Sequence, residues 1–197
     1  MTLDILLALL AFAFVTSITP GPNNIMLMTS GVNFGFRRTL PHMLGVGLGF
    51  VLMVALVGLG LAGVFKAEPR AELVLKAVST AYILWLAWKI AGAAAPRAGA
   101  AAGKPFSFVQ AAGFQWVNPK AWAMALSATA SYAPGQTAQE MVLVALIFGA
   151  VNLPSVSVWV VMGQGLRHLL TKPQWLRAFN WTMALLLLAS QWAVLRL

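Results

Sequence analysis

Apolar positions in this chain run in long blocks, without the alternating polar faces of helices that pack in water. Six blocks can be marked, near residues 3–32, 43–65, 72–92, 107–130, 140–163 and 176–195. A run of roughly 18 or more apolar residues crosses the bilayer core as a helix, and several blocks reach that length. The pattern predicts an all-α integral membrane protein of about six transmembrane helices. The first block opens Met1-Thr2-Leu3-Asp4, with an acid where a cleaved signal carries positive charge, so it reads as a retained membrane segment.

The longest connection is Ala93 to Lys104, rich in Ala, Gly and Pro and carrying Arg97, close to the midpoint of the chain. It divides the sequence into a three-helix unit (1–92), a flexible cytoplasmic linker (93–106) and a second three-helix unit (107–197). Three helices per unit place the two in opposite orientations, the plan of inverted-repeat transporters. Such carriers bind substrate near the midplane, where Gly and Pro interrupt corresponding helices of the two halves.

Such interruptions are present. The first block holds Thr19-Pro20-Gly21-Pro22-Asn23-Asn24 and the fourth holds Gln115-Trp116-Val117-Asn118-Pro119-Lys120. Each proline lacks an N–H and its ring displaces the carbonyl four residues back, which should free the carbonyls of Thr16, Ile18 and Gln115. Freed backbone is tolerated at membrane depth only against protein or a wet cavity. A half-helix starting near Asn23 would turn unpaired N–H groups and a positive dipole end toward a carboxylate. An ordinary proline kink is the competing reading. Two prolines around a glycine, followed by paired asparagines and echoed in the other half, favour a site.

Lys120 stands inside an apolar block, where a cation costs at least ~2.5 kcal/mol at the centre by insertion scales. It either snorkels to an interface or offers a fixed charge to an anionic group of the substrate. The candidate substrate-binding residues are therefore Pro20, Gly21, Pro22, Asn23, Asn24, Gln115, Asn118, Pro119 and Lys120. Asn152-Leu153-Pro154 interrupts the fifth block and either lines the path or makes a packing kink. Gly45 and Gly49 form a small-xxx-small pair that predicts close helix packing. Most of the eight tryptophans lie toward segment ends and read as interfacial anchors.

Composition and charge narrow the function. The chain of 197 residues is 60% hydrophobic and 9% charged, far from the roughly one quarter charged of soluble domains. The absence of cysteine excludes disulfides, thiolate metal sites and redox relays. Two histidines and four scattered acids make no metal cluster, so no metal and no cofactor are expected. The net charge of +9 reflects loops, not a nucleic-acid surface. Arg37, Arg38, Lys89, Arg97, Lys104, Arg167, Lys172 and Arg177 follow the first, third and fifth segments. Lys66, Arg70, Lys76, Arg196 and all four acids (Asp4, Glu68, Glu72, Glu140) lie on the other side. The asymmetry puts the first set in the cytoplasm and both termini outside. No acid falls inside a segment, which argues against a bare metal cation and favours a zwitterion or organic anion. His42, at a segment edge, reads equally as a solvated histidine or a proton carrier.

The Thr-Pro-Gly-Pro-Asn-Asn run, followed by Gly31, Gly35-Phe36-Arg37-Arg38 and the Gly45-containing second segment, resembles the LysE/RhtB family of amino-acid exporters. Asn118-Pro119-Lys120-Ala121 is similar to that family's second hallmark. The resemblance implies a secondary active transporter of the bacterial inner membrane, exporting amino acids or related metabolites on the proton-motive force. The expected partners are then a small-molecule substrate and the lipid bilayer, with room for a homo-oligomer and no nucleic acid. A non-transporting accessory membrane protein also fits long apolar segments, but it has no use for costly polar groups at depth. An enzyme would want interior carboxylates, histidines or a serine–base pair, and none stands at convincing spacing.

Overall fold

The computed structural model describes residues 1–61, 63–68, 70–93 and 103–195, without the side chains of Phe65, Lys66 and 191–195. Residues 94–102 of the expected linker, Arg97 among them, and Arg196 lie outside the described residues. All six apolar blocks are helical. The first forms α1 (Leu3–Ile18) and α2 (Pro22–Phe34), separated by the predicted break. The second forms α3 (Phe36–Leu56), continued by a π-helical turn at Val57–Leu61 and the short α4 (Gly63–Ala67). The third is α5 (Arg70–Ala91). The fourth is α6 (Phe108–Phe114), a 3₁₀ turn at Gln115–Val117 and α7 (Pro119–Tyr132). The last two are α8 (Ala138–Arg167) and α9 (Pro173–Leu195).

Among the described residues, Phe36–Leu61, Arg70–Ala91 and Ala138–Arg167 are each long and apolar enough to cross a membrane. The α1–α2 pair meets the same test taken together, bent by 55°, as a broken span or a re-entrant loop. The fourth block is divided into pieces too short to span alone. The first half of α9 carries Gln174, Arg177, Asn180 and Thr182 among its apolar residues.

α3 starts seven residues before the predicted edge and takes in Arg37, Arg38 and Pro41. Gly35, at φ 78°, reverses the chain between α2 and α3 in a single residue, a conformation glycine adopts without steric penalty. The Phe36 N–H, an orphan at the start of α3, donates to Gln164 Oε1 of α8 at 2.6 Å. Pro154 does not interrupt α8, which runs unbroken for 30 residues. The predicted interruption there is therefore a proline carried within a continuous helix.

The helices interlock through small residues. Gly31 on α2 and Gly163 on α8 lie so close to the facing backbone that a Cβ would strike the Val160 carbonyl or the Met28 carbonyl. Gly45 and Gly49 do the same between α3 and α6: a Cβ on Gly49 would sit 2.7 Å from Ala112 Cα. Lipid offers no hydrophobic drive to hold helices together, so close backbone approach supplies dispersion contact instead. One apolar cluster joins α1, α3, α7 and α8 around Phe148, Met53 and Leu9; a second joins α2, α5, α6 and α9 around Ile83 and Leu187. The outer faces carry exposed Leu, Val, Phe and Trp, including Trp88, Trp175 and Trp181. Trp159 and Trp122 depart from the anchor expectation and donate to backbone inside the fold.

The cationic ends gather. Arg37, Arg38, Arg167 and His168 line one recess beside Gly35, and Arg38 donates to the Gly103 carbonyl at 3.2 Å. The α2–α3 turn, the end of α8 and the chain entering α6 therefore share one basic end. Three of the four acids occupy helix starts, Asp4 on α1, Glu72 on α5 and Glu140 on α8, each favoured by the positive end of the helix dipole.

Candidate functional site

Both breaks follow one local design. Gly21 and Asn118 are extended (φ −176°, ψ 175° and φ −101°, ψ 104°), and each is followed by proline as the first residue of the next half-helix. Proline suits that position because its missing N–H would be unpaired anyway and its φ is already helical. The carbonyls expected to be free do lose the N–H four residues on, but other groups take them. Thr19 Oγ1 donates to Thr16 O at 3.1 Å, and the Trp159 indole N–H reaches Ile18 O at 3.2 Å from α8. Asn24 Nδ2 donates to Ser17 O and Thr19 O, at 2.7 and 2.8 Å, folding α2's first turn back over the end of α1. The Gln115 carbonyl accepts the Asn118 N–H within the 3₁₀ turn.

The two breaks also touch each other. Asn23 Nδ2 donates to Gln115 Oε1 at 2.8 Å, and Gln115 Nε2 returns a longer bond to Asn23 Oδ1 at 3.3 Å. Lys120 crosses in the other direction. Its Nζ donates to Thr19 Oγ1 at 2.9 Å, Thr19 O at 3.0 Å and Pro20 O at 3.4 Å. The logic is electrostatic. Lys120 sits in the first turn of α7, the wrong end of its own helix for a cation, and its stem leans across to the carbonyl end of α1, the right one. Gly21 makes room for the stem, because a Cβ there would lie 2.9 Å from Lys120 Cδ and 3.1 Å from Nζ.

Around this junction lies a small cavity of about 30 Å³, room for one or two water molecules as the helices stand, so a larger guest needs the two breaks to part. Gly21, Asn23, Asn24, Gln115, Asn118 and Lys120 line it. Pro20 does not line it and meets Lys120 through its carbonyl, while Pro22 and Pro119 are buried as helix starts. Asn118 caps α7 by accepting the Lys120 N–H at 3.2 Å. No side chain caps α2; Pro22 has no N–H and Ile25 donates to the Gly21 carbonyl, so the first-turn donors left beside the junction are those of Asn23 and Asn24. The cavity thus offers donors at the start of α2, acceptors at the end of α1 and a half-buried ammonium between them.

Ser17, Thr19, Asn152 and Trp159 belong to this site and are absent from the residues picked on sequence. Asn152, 5% exposed, donates to Ser17 Oγ at 3.0 Å, and its Oδ1 has no partner among the described residues. Its place before Pro154 was a visible signal with two readings, and the structure sets its side chain on the cavity wall. Thr19 had no such signal, since its role depends on a lysine 101 residues away. His42 is not solvated: it is 2% exposed, on α3 and outside this cavity.

A helical membrane protein whose two broken helices meet around a small polar cavity has the build of a carrier for small molecules. The chain matches the LysE type translocator family over residues 14–191, and it belongs to that family. It is a translocator and not an enzyme. It is 30% identical over 189 residues to a protein of Klebsiella pneumoniae named cysteine/O-acetylserine efflux protein, covering 95% of each chain. Proteins of the same name from Escherichia coli K12 and Shigella sonnei are each 32% identical over 189 residues, again with 95% of each chain covered. No solved structure matches the chain.

Proposed function

We propose that this protein exports small neutral amino acids, of the size and charge of cysteine and O-acetylserine, from the cytoplasm through the junction of its two broken helices. The observation that carries the reading is Lys120 spanning from one break to the other beside an uncapped helix start. A zwitterion matches that arrangement group for group. Its carboxylate pairs with the Lys120 ammonium and the N–H groups opening α2. Its ammonium takes the Thr19 hydroxyl oxygen and the Thr19 and Pro20 carbonyls that Lys120 Nζ releases as it turns to the carboxylate. Each bond lost inside the protein is replaced by one to the substrate, so the site need not leave a polar group bare at depth.

The same reading places the protein in the bacterial inner membrane with its basic end in the cytoplasm and its termini outside, by the distribution of Arg and Lys. It takes 1–92 and 107–197 as inverted repeats. In support, α1 of the first half packs on α8 of the second, and α6 of the second packs on α3 of the first. Coupling to the proton-motive force follows from the resemblance to the LysE/RhtB exporters.

Cells overproducing the protein test the proposal directly. Cysteine or O-acetylserine should accumulate in the medium faster than in control cells, and an uncoupler should suppress the difference. Unchanged efflux of both compounds and of other small neutral amino acids would end the proposal.

A further inference from the structure

A second cavity, of about 270 Å³, opens at the basic end between α2, α3 and α5. It lies further along the same face of α2. Asn23 lines the junction cavity, while Met26, Ser30 and Asn33, on the same helical stripe, line the second one. The step from Asn23 to Met26 is about 4.5 Å along the axis, so the two spaces are neighbours on one helix.

Three buried polar side chains face this recess. Thr29 donates to Ile25 O at 2.8 Å, and Ser30 pairs with Thr39 Oγ1 at 2.9 Å. His42 differs. It is 2% exposed, its ring lies 5.3 Å from that of Phe106, and neither ring nitrogen has a hydrogen-bond partner among the described residues. A neutral imidazole carries one donor and one acceptor, and leaving such groups unpaired costs about 1–3 kcal/mol. Among the described residues, the two charged side chains lining the recess, Lys89 and Lys104, are both cations, and no acid lines it. Apolar walls, a buried unpaired N–H and two lysines at the rim suit a small molecule with a carboxylate.

We propose that this recess is an entry-side subsite for the exported amino acid, where the His42 N–H donates to the substrate carboxylate before the molecule passes along α2 to the junction. This rests on the export reading. Lys89 and Lys104 draw the anionic group to the mouth, and His42 holds it at the inner wall.

Proteoliposomes with the protein in known orientation, given radiolabelled O-acetylserine at one face at a time, separate the two ideas. In His42→Ala the KM at the basic face should rise about ten-fold, the value of one hydrogen bond to a charged group, while the KM at the opposite face stays put. His42→Gln, which keeps an N–H donor, should recover most of the loss. Should His42→Ala fail to purify as a folded protein, the exposed Lys104→Gln replaces it and should raise the same KM several-fold. Equal KM values at the basic face for wild type and a folded His42→Ala, or for Lys104→Gln in its place, would overturn the subsite. A wild type that transports no amino acid from either face would overturn the export reading itself, a separate result.

Discussion

Replacing Lys120 by methionine removes the ammonium and keeps the length of the stem. Two opposing quantities set the effect on stability. The two shorter bonds, to Thr19 Oγ1 and Thr19 O, are charge-assisted, and such bonds contribute about 1.5–3 kcal/mol each. Against them stands the cost of holding a cation within the bilayer, about 2.5–3.5 kcal/mol by insertion scales. The Thr19 carbonyl keeps its bond from Asn24, so little is orphaned when Lys120 goes. The difference leaves a net contribution of about 0–3 kcal/mol by the same figures, small enough for the variant to fold. Transport has no such compensation, because the carboxylate loses its only cation in the cavity. Lys120→Met should purify as a monodisperse protein in detergent, with a melting temperature within several degrees of wild type, and should show no exchange of labelled amino acid. Wild-type exchange by the variant would refute the role given to the ammonium. Collapse of the fold would refute the energy balance.

Other outcomes follow from the same geometry. Gly21→Ala accepts the extended backbone without strain but pushes Lys120 Cδ aside, so transport should fall while the melting temperature moves by only a few degrees. Asn23→Ala and Gln115→Ala should be non-additive, with a coupling of about 1–2 kcal/mol in a double-mutant melting cycle; simple additivity would mean the reciprocal pair does not form. Trp159→Phe should destabilise by about 1–3 kcal/mol through the orphaned Ile18 carbonyl, read as a lower melting temperature. Gly163→Val should be worse than any of these, because its side chain meets the α2 backbone and not a flexible side chain; an unaltered melting temperature would show that α2 and α8 are not so closely packed.

The membrane helices and the breaks were legible because their causes are local. A long apolar block needs no partner to be recognised, and Pro22 and Pro119 directly follow Gly21 and Asn118, residue types that favour a helix start. The first edge of α3 was not legible. Arg37, Arg38 and Pro41 look like loop, and they are helical because Gly35 turns sharply and Gln164, 128 positions away, accepts the Phe36 N–H. Pro154 misled in the opposite sense, since α8 continues through it while packed against α1, α2 and α3. The site divides in the same way. Asn23, Asn118 and Lys120 could be picked from their setting, whereas what Lys120 touches is set by tertiary packing. A cation in an apolar block signals a partner without naming it, and here the present partners are carbonyls of the other broken helix. His42 shows the same limit: its position at a segment edge said nothing of burial under Phe106.

The central claim is that the junction of the two breaks carries a zwitterionic amino acid. Counterflow tests it most directly: purified protein in liposomes preloaded with unlabelled O-acetylserine, diluted into a trace of the labelled compound. The account predicts rapid, saturable accumulation of label in wild-type vesicles, competed by cysteine, and none in vesicles bearing Lys120→Met. Accumulation no greater than in protein-free liposomes, for O-acetylserine, cysteine and other small neutral amino acids alike, would contradict it.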